Sequence, residues 1–338
     1  MRSKPFAFAA ADGGWYRARM LKGEIGSRKR GRARSVAATT GARAAERRTS
    51  KRKTGARGAV VPKKATAARD VEPATVAVKA VVRADGRRAI EPRRLRITPG
   101  YLTHAEGSAL VSAGDTRVLC AVSVEEQVPD FRRGSGRGWL TAEYSMLPRA
   151  THTRSQREAS RGRVSGRTHE IQRLIGRTLR AVVDLDKLGE RTLFVDCDVL
   201  QADGGTRTAA INGAYVAVAQ ALDRLVESGL LAESPLREPV GAISVGLVDG
   251  ELLVDLAYGE DSRAEVDANF VMTGSGGLVE VQGTAEGRTF ARDDLTRMLD
   301  SAWRAIARVH QIQEAAVASL RGKKRARSAR STARSKRR

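Results

Sequence analysis

Two tight turns, Gly114-Asp115 and Asp249-Gly250, constrain the fold most strongly, because each separates two runs of apolar residues. Glycine beside aspartate between such runs is typical of a β-hairpin, so antiparallel strands are expected on both sides of the middle of the chain. Apolar residues recur at helical spacing from Arg167 onward and again over about 209–226. Hairpins and helices that mix without regular β–α–β alternation predict an α/β fold, with a mixed sheet and helices packed on it, rather than a doubly wound sheet.

Other segments add single elements to this outline. The runs W-L-T-A-E-Y-S-M and R-T-L-F-V-D-C-D-V-L predict one strand on each side of the first helix. Two further strands, N-F-V-M-T and L-V-E-V-Q, follow the second hairpin. A last helix is expected to begin at Asp293 or Asp294, where acidic residues precede a helical apolar pattern.

The positive charge of the chain is concentrated at its two ends. The formal net charge is +23, yet residues 81–320 hold 30 basic and 33 acidic side chains. Residues 1–80 hold 21 Lys and Arg against 5 acids, and residues 321–338 hold 10 against none. We predict a disordered basic extension over 1–80, one folded domain over 81–320 and a disordered basic tail over 321–338. Such ends attract nucleic acid through counterion release or act only as solubilising extensions, and both interpretations stay open.

Cysteine usage and hydropathy indicate a cytoplasmic protein. Cys120 and Cys197 are the only cysteines, and both lie in apolar, strand-like runs, which is typical of reduced and buried residues. The apolar run near the N-terminus is too short for a signal peptide, and no stretch approaches the length of a membrane span. No association with a membrane is therefore expected.

The stretch Q-A-D-G-G-T-R-T raises the first question of chemistry. It leaves a strongly apolar strand, uses two adjacent glycines and then presents Thr206 and Arg207 where a helix begins. Backbone N–H groups at a helix start, together with a hydroxyl and a guanidinium, form a cradle for an anion such as phosphate. A tight turn with a capping threonine explains the same letters, so spacing alone leaves both interpretations open.

Two other groups of residues point to phosphate chemistry. Asp261 and Asp267 bracket a short acidic loop, and such a pair holds Mg²⁺ in some proteins, although acidic loops are also common on ordinary surfaces. Arginine rather than lysine dominates residues 149–180, which favours bidentate contacts with phosphate, although some of these side chains belong to solvated faces. The nine arginines of this segment are Arg149, Arg154, Arg157, Arg161, Arg163, Arg167, Arg173, Arg177 and Arg180.

Longer blocks of sequence resemble the ribonuclease PH family of phosphate-dependent 3′-exoribonucleases. They include G-W-L-T-A-E-Y-S-M-L-P-R-A-T, G-R-T-H-E-I-Q-R-L-I-G-R-T-L-R-A-V-V-D-L, D-C-D-V-L-Q-A-D-G-G-T-R-T-A-A-I, D-S-R-A-E-V-D-A-N and V-E-V-Q-G-T-A-E. The resemblance runs from about Arg83 to Ala316. It implies a two-layer α/β domain with a left-handed β–α–β crossover, which the usual handedness of such units would not have suggested.

The resemblance also implies residue roles and partners. Inorganic phosphate, a co-substrate, would bind Arg167, Gly205, Thr206 and Arg207, while Asp261 and Asp267 would hold Mg²⁺. The catalytic residues would then be Asp261, Asp267 and Arg207. Three further residues, implied to grip RNA, are Arg149, Arg154 and Arg157. The implied substrates are tRNA precursors and other structured RNA 3′ ends, and the implied assembly is a homohexamer built as a trimer of dimers. Gly259 departs from the family pattern, where an acidic residue is expected before Glu260.

Two other functions remain as alternatives at this point. A hydrolytic, metal-dependent nuclease would need the carboxylates but no phosphate cradle, and it would release nucleoside monophosphates. A catalytically silent RNA-binding ring subunit would be expected to lack either Thr206 and Arg207 or the aspartate pair, whereas this chain has both. The nucleotide that is released, and its dependence on phosphate, distinguishes these alternatives.

Overall fold

A computed structural model describes residues 83–335 except residue 288, with the helix but not the side chains over 323–335 and no side chains at 159 and 161. The predicted extension over 1–80 lies outside the described residues. The described chain contains nine strands and five α-helices. The strands are β1 (Leu95–Pro99), β2 (Gly107–Ala113), β3 (Thr116–Glu125), β4 (Trp139–Met146), β5 (Thr192–Gln201), β6 (Val240–Val248), β7 (Glu251–Val254), β8 (Val266–Thr273) and β9 (Leu278–Ala285). The helices are α1 (Gly166–Val182), α2 (Leu185–Leu188), α3 (Thr206–Glu227), α4 (Tyr258–Asp261) and α5 (Arg292–Ser335).

The first half of the chain forms a five-stranded sheet in the order β1-β2-β3-β5-β4. Adjacent strands in this sheet are antiparallel except β4 and β5, which run parallel. The chain passes from β4 to β5 through α1 and the short α2. The hairpin predicted at Gly114-Asp115 is β2 and β3, and Gly114 has the positive φ of 56° that such a turn requires. The prediction of a mixed sheet is therefore confirmed. The strand β1 was not predicted, because L-R-I-T-P carries only two aliphatic residues.

The second half forms a four-stranded antiparallel sheet in the order β7-β6-β8-β9. The predicted hairpin at Asp249-Gly250 is β6 and β7, and both turn residues have positive φ, 52° and 79°. Asp267 and Asn269 lie on β8 opposite Thr284 and Gln282 of β9. Residues directly opposite each other in an antiparallel pair point to the same face, so Asp267, Asn269 and Gln282 share one face of this sheet.

The helix α3 packs against both sheets, so most of its residues are buried. Seventeen of its 22 residues are buried, and it contacts β2, β3, β5 and β6. Two carboxamides on its buried surface are hydrogen-bonded: Asn212 donates to the carbonyl of Ala242 and accepts from the Ala242 N–H, at 3.0 and 2.8 Å, and Gln220 accepts from the Ser108 N–H at 3.0 Å. A helix fixed in this way between two sheets holds its N-terminus at a defined place relative to both.

The last helix is longer than the sequence indicated. The pattern predicted a start at Asp293 or Asp294 and a disordered tail after residue 320, but α5 begins at Arg292 and runs to Ser335. Alanine, arginine and lysine are good helix formers, and extending an existing helix avoids the cost of nucleation. Arg321 also ties α5 to α3 through two hydrogen bonds to the carboxylate of Asp223, both 2.8 Å.

The two cysteines are free and buried, as predicted. Cys120 and Cys197 face each other across β3 and β5, with their sulfur atoms 3.7 Å apart. Within residues 83–335, no helix combines the length and the continuous apolar character that a membrane span requires.

Candidate active site

The turn between β5 and α3 depends on both of its glycines. Gly204 and Gly205 have φ values of 75° and 63°, in the left-handed region that favours glycine. A Cβ atom on Gly204 would lie 2.6 Å from the carbonyl oxygen of Leu256 and 2.8 Å from the amide nitrogen of Tyr258. The glycine pair therefore lets the first half of the chain approach the backbone of the second half closely, a reason that sequence analysis did not foresee.

Gly204→Ala is expected to destabilise the protein by about 2–4 kcal/mol, because it adds both a steric overlap and an unfavourable φ. Gly259→Ala is the matched control: Gly259 lies in α4, its φ is not in the left-handed region, and a Cβ there meets nothing within 4 Å. Denaturant unfolding of both variants measures the difference. Equal stability of the two variants would contradict the proposed close approach.

The N-terminus of α3 is open toward a cleft. Its N-cap, Gly205, offers no side-chain cap, so the first N–H groups of the helix lack helical or capping acceptors. The hydroxyl of Tyr144 donates to Oγ1 of Thr206 at 2.9 Å, which leaves the Thr206 proton available to an anion. Burial raises the pKa of Tyr144, so this tyrosine remains a neutral donor.

The guanidinium of Arg207 is held at one edge only. Its Nη1 donates to Oε1 of Gln282 at 2.7 Å and, through a longer hydrogen bond of 3.4 Å, to Oε1 of Glu170. Within the described part of the chain, its other nitrogen atoms make no hydrogen bond, so they are available to a ligand. Arg167 stands exposed in the first turn of α1, whose N-cap Ser165 accepts from the Thr168 N–H at 3.2 Å.

Two carboxylates come from the second half of the chain. Asp261 ends α4 and Asp267 lies near the start of β8. Burial, followed by the charge of Asp261, raises the pKa of Asp267 to about 6, against the opposing effect of Arg207 and Arg167. Burial also raises the pKa of Asp261, again opposed by the two arginines. Burial thus disfavours the ionised form of both carboxyl groups, and the charge of Asp261 adds to this effect at Asp267.

The donor set fits a divalent cation of the Mg²⁺ type. Oδ1 of Asp267 is buried and has no hydrogen-bond partner among the described residues, and a buried carboxylate oxygen without a partner is costly. Oxygen ligands from one or two carboxylates, with the remaining positions taken by water and substrate, are the usual surroundings of Mg²⁺. No group of three or more His, Cys, Asp or Glu side chains that could hold a metal ion is found among the described residues.

The carboxylates and the anion-binding groups line one cleft of about 330 Å³. Its walls come from the loop after β4, the first turn of α1, the glycine turn and first residues of α3, the helix α4, and β6 and β8. The lining residues are Met146, Thr151, Arg167, Ala202, Gly204, Gly205, Thr206, Arg207, Ser244, Tyr258, Asp261, Asp267 and Asn269. The structure thus brings together all six residues that sequence analysis assigned to phosphate or metal.

A buried ion pair supports the glycine turn from behind. Arg93 makes two side-chain hydrogen bonds to Asp255, at 2.6 and 3.0 Å, and donates to the carbonyl of Asp203 at 2.5 Å. The hydroxyl of Thr116 donates to the carbonyl of Gly204 at 2.7 Å. Arg93, Asp255 and Thr116 do not line the cleft, so these contacts fix the backbone of the turn from outside it.

The three arginines implied to grip RNA lie outside the cleft lining. They are exposed on the loop between β4 and α1, which places Thr151 at the cleft. Arg149 donates to the carbonyl of His152 at 2.6 Å, and Arg154 has no described partner in residues 83–335. Burial raises the pKa of Asp198, and the charge of Arg157 opposes that shift. The loop therefore presents basic side chains beside the cleft, and their contact with RNA stays a prediction.

Sequence analysis missed several residues that shape the site. Asn269 follows Asp267 by two positions on β8, and the alternation of a strand could have placed it on the same face. Tyr144, Gln282 and Arg93 had no such signal, because each reaches the site through a contact between distant segments.

Comparison with known families identifies the class of protein that this fold and cleft define. Residues 91–222 match the model of the "3′ exoribonuclease family, domain 1", and residues 238–305 match its "domain 2". Together the two matches cover well over half of the chain. The protein belongs to the RNase PH family of 3′ exoribonucleases.

Solved structures show the same fold. Rice (Oryza sativa) Rrp46 is 22% identical with a TM-score of 0.57, and the alignment covers 70% of this chain and 100% of that one. A chain of the Archaeoglobus fulgidus exosome with RNA bound to the active site is 25% identical with a TM-score of 0.58, covering 68% and 91%. An archaeal exosome core chain is 23% identical with a TM-score of 0.55, covering 69% and 91%.

Proposed function

We propose that the protein is a phosphorolytic 3′-5′ exoribonuclease that trims the 3′ ends of tRNA precursors and releases nucleoside diphosphates. One observation carries the proposal: the open N-terminus of α3 with Thr206, Arg207 and Arg167 faces the aspartate pair across a single cleft. A hydrolytic nuclease needs the carboxylates but has no use for a second anion site. A site for inorganic phosphate next to a cation site suits a reaction in which inorganic phosphate attacks a phosphodiester of RNA.

The chain's own residues bind and orient the attacking phosphate. The amide groups at the start of α3, the Thr206 hydroxyl and the two guanidinium groups would hold it and offset its repulsion from the RNA. A phosphate oxygen then attacks the phosphorus of the last phosphodiester, and the bond from that phosphorus to the 3′ oxygen of the preceding nucleotide breaks. The departing 3′ oxygen takes up one proton, which a hydrogenphosphate ion brings to the site. Positioning and charge neutralisation therefore do most of the work.

Asp261 and Asp267 would hold Mg²⁺, which neutralises charge on the reacting phosphate oxygens when bound. The raised pKa values of the two carboxyl groups are consistent with this assignment, because a bound cation would favour the ionised form of both. A phosphodiester is exchanged for a phosphoanhydride, so the reaction is expected to be reversible, with nucleotidyl transfer as its reverse.

RNA binding and assembly complete the proposal. The related A. fulgidus structure has RNA bound to its active site, which supports RNA as the substrate here. We infer that Arg149, Arg154 and Arg157 contact the RNA near the cleft, and that the chain assembles as a homohexamer, a trimer of dimers. Processing of tRNA precursors and other structured RNA 3′ ends is the substrate range that we propose.

The nucleotide product tests the proposal directly. A tRNA carrying extra 3′ nucleotides, labelled in the last of them, is incubated with the protein and Mg²⁺, with and without inorganic phosphate. We expect labelled nucleoside diphosphate only when phosphate is present, because phosphate is the attacking group. Labelled monophosphate that forms equally well without phosphate would identify a hydrolase, and the absence of any product would favour a silent subunit.

A further inference from the structure

The surroundings of Arg207 contain an arrangement that the reaction itself does not explain. Three elements meet there: Glu170 from α1, Arg207 from α3, and Glu280 and Gln282 from β9. Two carboxylates thus lie close to a guanidinium that must keep its charge available to a phosphate ion. An arginine beside carboxylates normally pairs with them directly.

Gln282 stands between the guanidinium and the carboxylates. Its Oε1 accepts from Nη1 of Arg207 at 2.7 Å, while its Nε2 donates to Glu170 at 2.8 Å and to Glu280 at 3.2 Å. Nη1 of Arg207 also donates directly to Glu170, but only through a long hydrogen bond of 3.4 Å. Glu280 is also engaged by Arg177 of α1. The carboxamide of Gln282 therefore donates hydrogen bonds to the two carboxylates with its NH₂ group and presents a neutral oxygen to Arg207.

We propose that Gln282 is a positioning residue for phosphate: by engaging Glu170 and Glu280 itself, it limits the direct pairing of Arg207 with Glu170 to one long contact and so keeps most of the guanidinium charge available to the ligand. The inference rests on the proposed function, because it takes inorganic phosphate as the ligand of Arg207. A glutamine suits this position, because its neutral carboxamide accepts from the guanidinium with the oxygen and donates to two carboxylates with the NH₂ group. The register of β9 with β8 aims this side chain at the face that carries Asp267.

Three substitutions separate this arrangement from simple packing. Gln282→Glu keeps the shape but gives Arg207 a carboxylate partner. Gln282→Leu removes the carboxamide, so Arg207 and Glu170 are free to shorten their 3.4 Å contact into a close ion pair. Gln282→Leu combined with Glu170→Gln removes that competing carboxylate. Gln172→Glu, two residues beyond Glu170 on α1, is the control for the added charge, because Gln172 makes no described contact with Arg207.

The variants are compared by the KM for inorganic phosphate and by kcat on tailed tRNA. The rise in the unfolding temperature of RNA-free protein with added phosphate gives a second measure that needs no activity. Gln282→Glu is expected to raise both the phosphate KM and the phosphate concentration needed for half stabilisation about tenfold, with kcat changed by less than about twofold. Gln282→Leu should show an increase of about threefold to fivefold, which the double variant reverses. Gln172→Glu should match the wild type.

Two kinds of failure are distinguishable. If the wild type needs phosphate and is stabilised by it, but the Gln282 variants match it, then Gln282 does not position Arg207. A loss of kcat at unchanged phosphate KM, or a double variant no better than Gln282→Leu, would also overturn the inference. If the wild type itself neither uses phosphate nor is stabilised by it, the proposed function fails and the inference falls with it.

Discussion

Asp267→Asn is expected to abolish Mg²⁺-dependent nucleotide release and, at the same time, to make the metal-free protein more stable at neutral pH. The loss of activity follows because Asp267 supplies the buried carboxylate oxygen that has no other partner in the described residues. Asp261→Asn should abolish turnover as well. Light scattering should show that both variants assemble like the wild type, because both carboxylates line the cleft and the substitutions change neither shape nor size appreciably.

The gain in stability follows from the raised pKa of Asp267, about 6 in the folded protein. A carboxyl whose folded pKa lies above its unfolded value destabilises the fold when it is ionised. The penalty is therefore present at pH 7 and is relieved as the pH falls through about 6 toward the unfolded value. Asparagine carries no charge and removes this penalty, which is about 1–3 kcal/mol at pH 7 for a shift of this size at a partly exposed site.

Thermal unfolding in the presence of a chelator measures this effect. Asp267→Asn should exceed the wild type in unfolding temperature at pH 7, and the difference should shrink at pH 5. Added Mg²⁺ should stabilise the wild type but not the variant. Asp115→Asn is the control, because its exposed carboxylate lies in the turn between β2 and β3. Full Mg²⁺-dependent activity in Asp267→Asn would place the metal elsewhere.

Arg207→Ala and Arg167→Ala are each expected to raise the phosphate KM by about one to two decades, because a lost charge-assisted contact costs about 1.5–3 kcal/mol. RNA binding should change little, since the proposed RNA contacts lie on the separate loop before α1. The decisive measurement is the phosphate dependence of nucleotide release at saturating RNA, with RNA affinity measured independently.

The two arginines should also differ from each other. Arg207→Ala removes a hydrogen-bond donor from both Gln282 and Glu170, whereas Arg167 is exposed. Lysine at position 167 should therefore restore more phosphate affinity than lysine at 207, where the contact with Gln282 fixes the guanidinium plane. Arg263→Ala serves as the control, because this exposed arginine pairs with Asp249 at 3.3 Å and lies outside the cleft lining. If Arg207→Ala and Arg167→Ala both kept the phosphate KM of the wild type, the proposed binding of phosphate by these two arginines would be refuted.

Sequence patterns determined the local elements of this protein, because those elements depend on interactions between neighbours along the chain. Both hairpins were predicted from a glycine-aspartate pair between two apolar runs, and the structure confirms them with positive φ at Gly114, Asp249 and Gly250. The strand before Gly204 and the helix after Gly205 followed from periodicity in the same way. The resemblance to a known family then grouped residues that no spacing could join.

Only the tertiary structure decided how the two halves form one site. The close approach of Gly204 to Leu256 brings Thr206 and Arg207 to the same cleft as Asp261 and Asp267, although the segments are far apart in sequence. The raised pKa of Asp267 exists only because packing removes water from it and places Asp261 nearby.

The contacts of Tyr144 with Thr206 and of Gln282 with Arg207 likewise join elements that are distant along the chain. Neither partner carries a local signature, since a tyrosine or a glutamine on a strand has the same pattern whether it faces solvent or a site. Sequence alone thus determined which groups this protein has for phosphate chemistry. Their protonation, their free donors and their positions were decided by packing between α3 and the two sheets, because burial and distance between remote segments are set only when the chain folds.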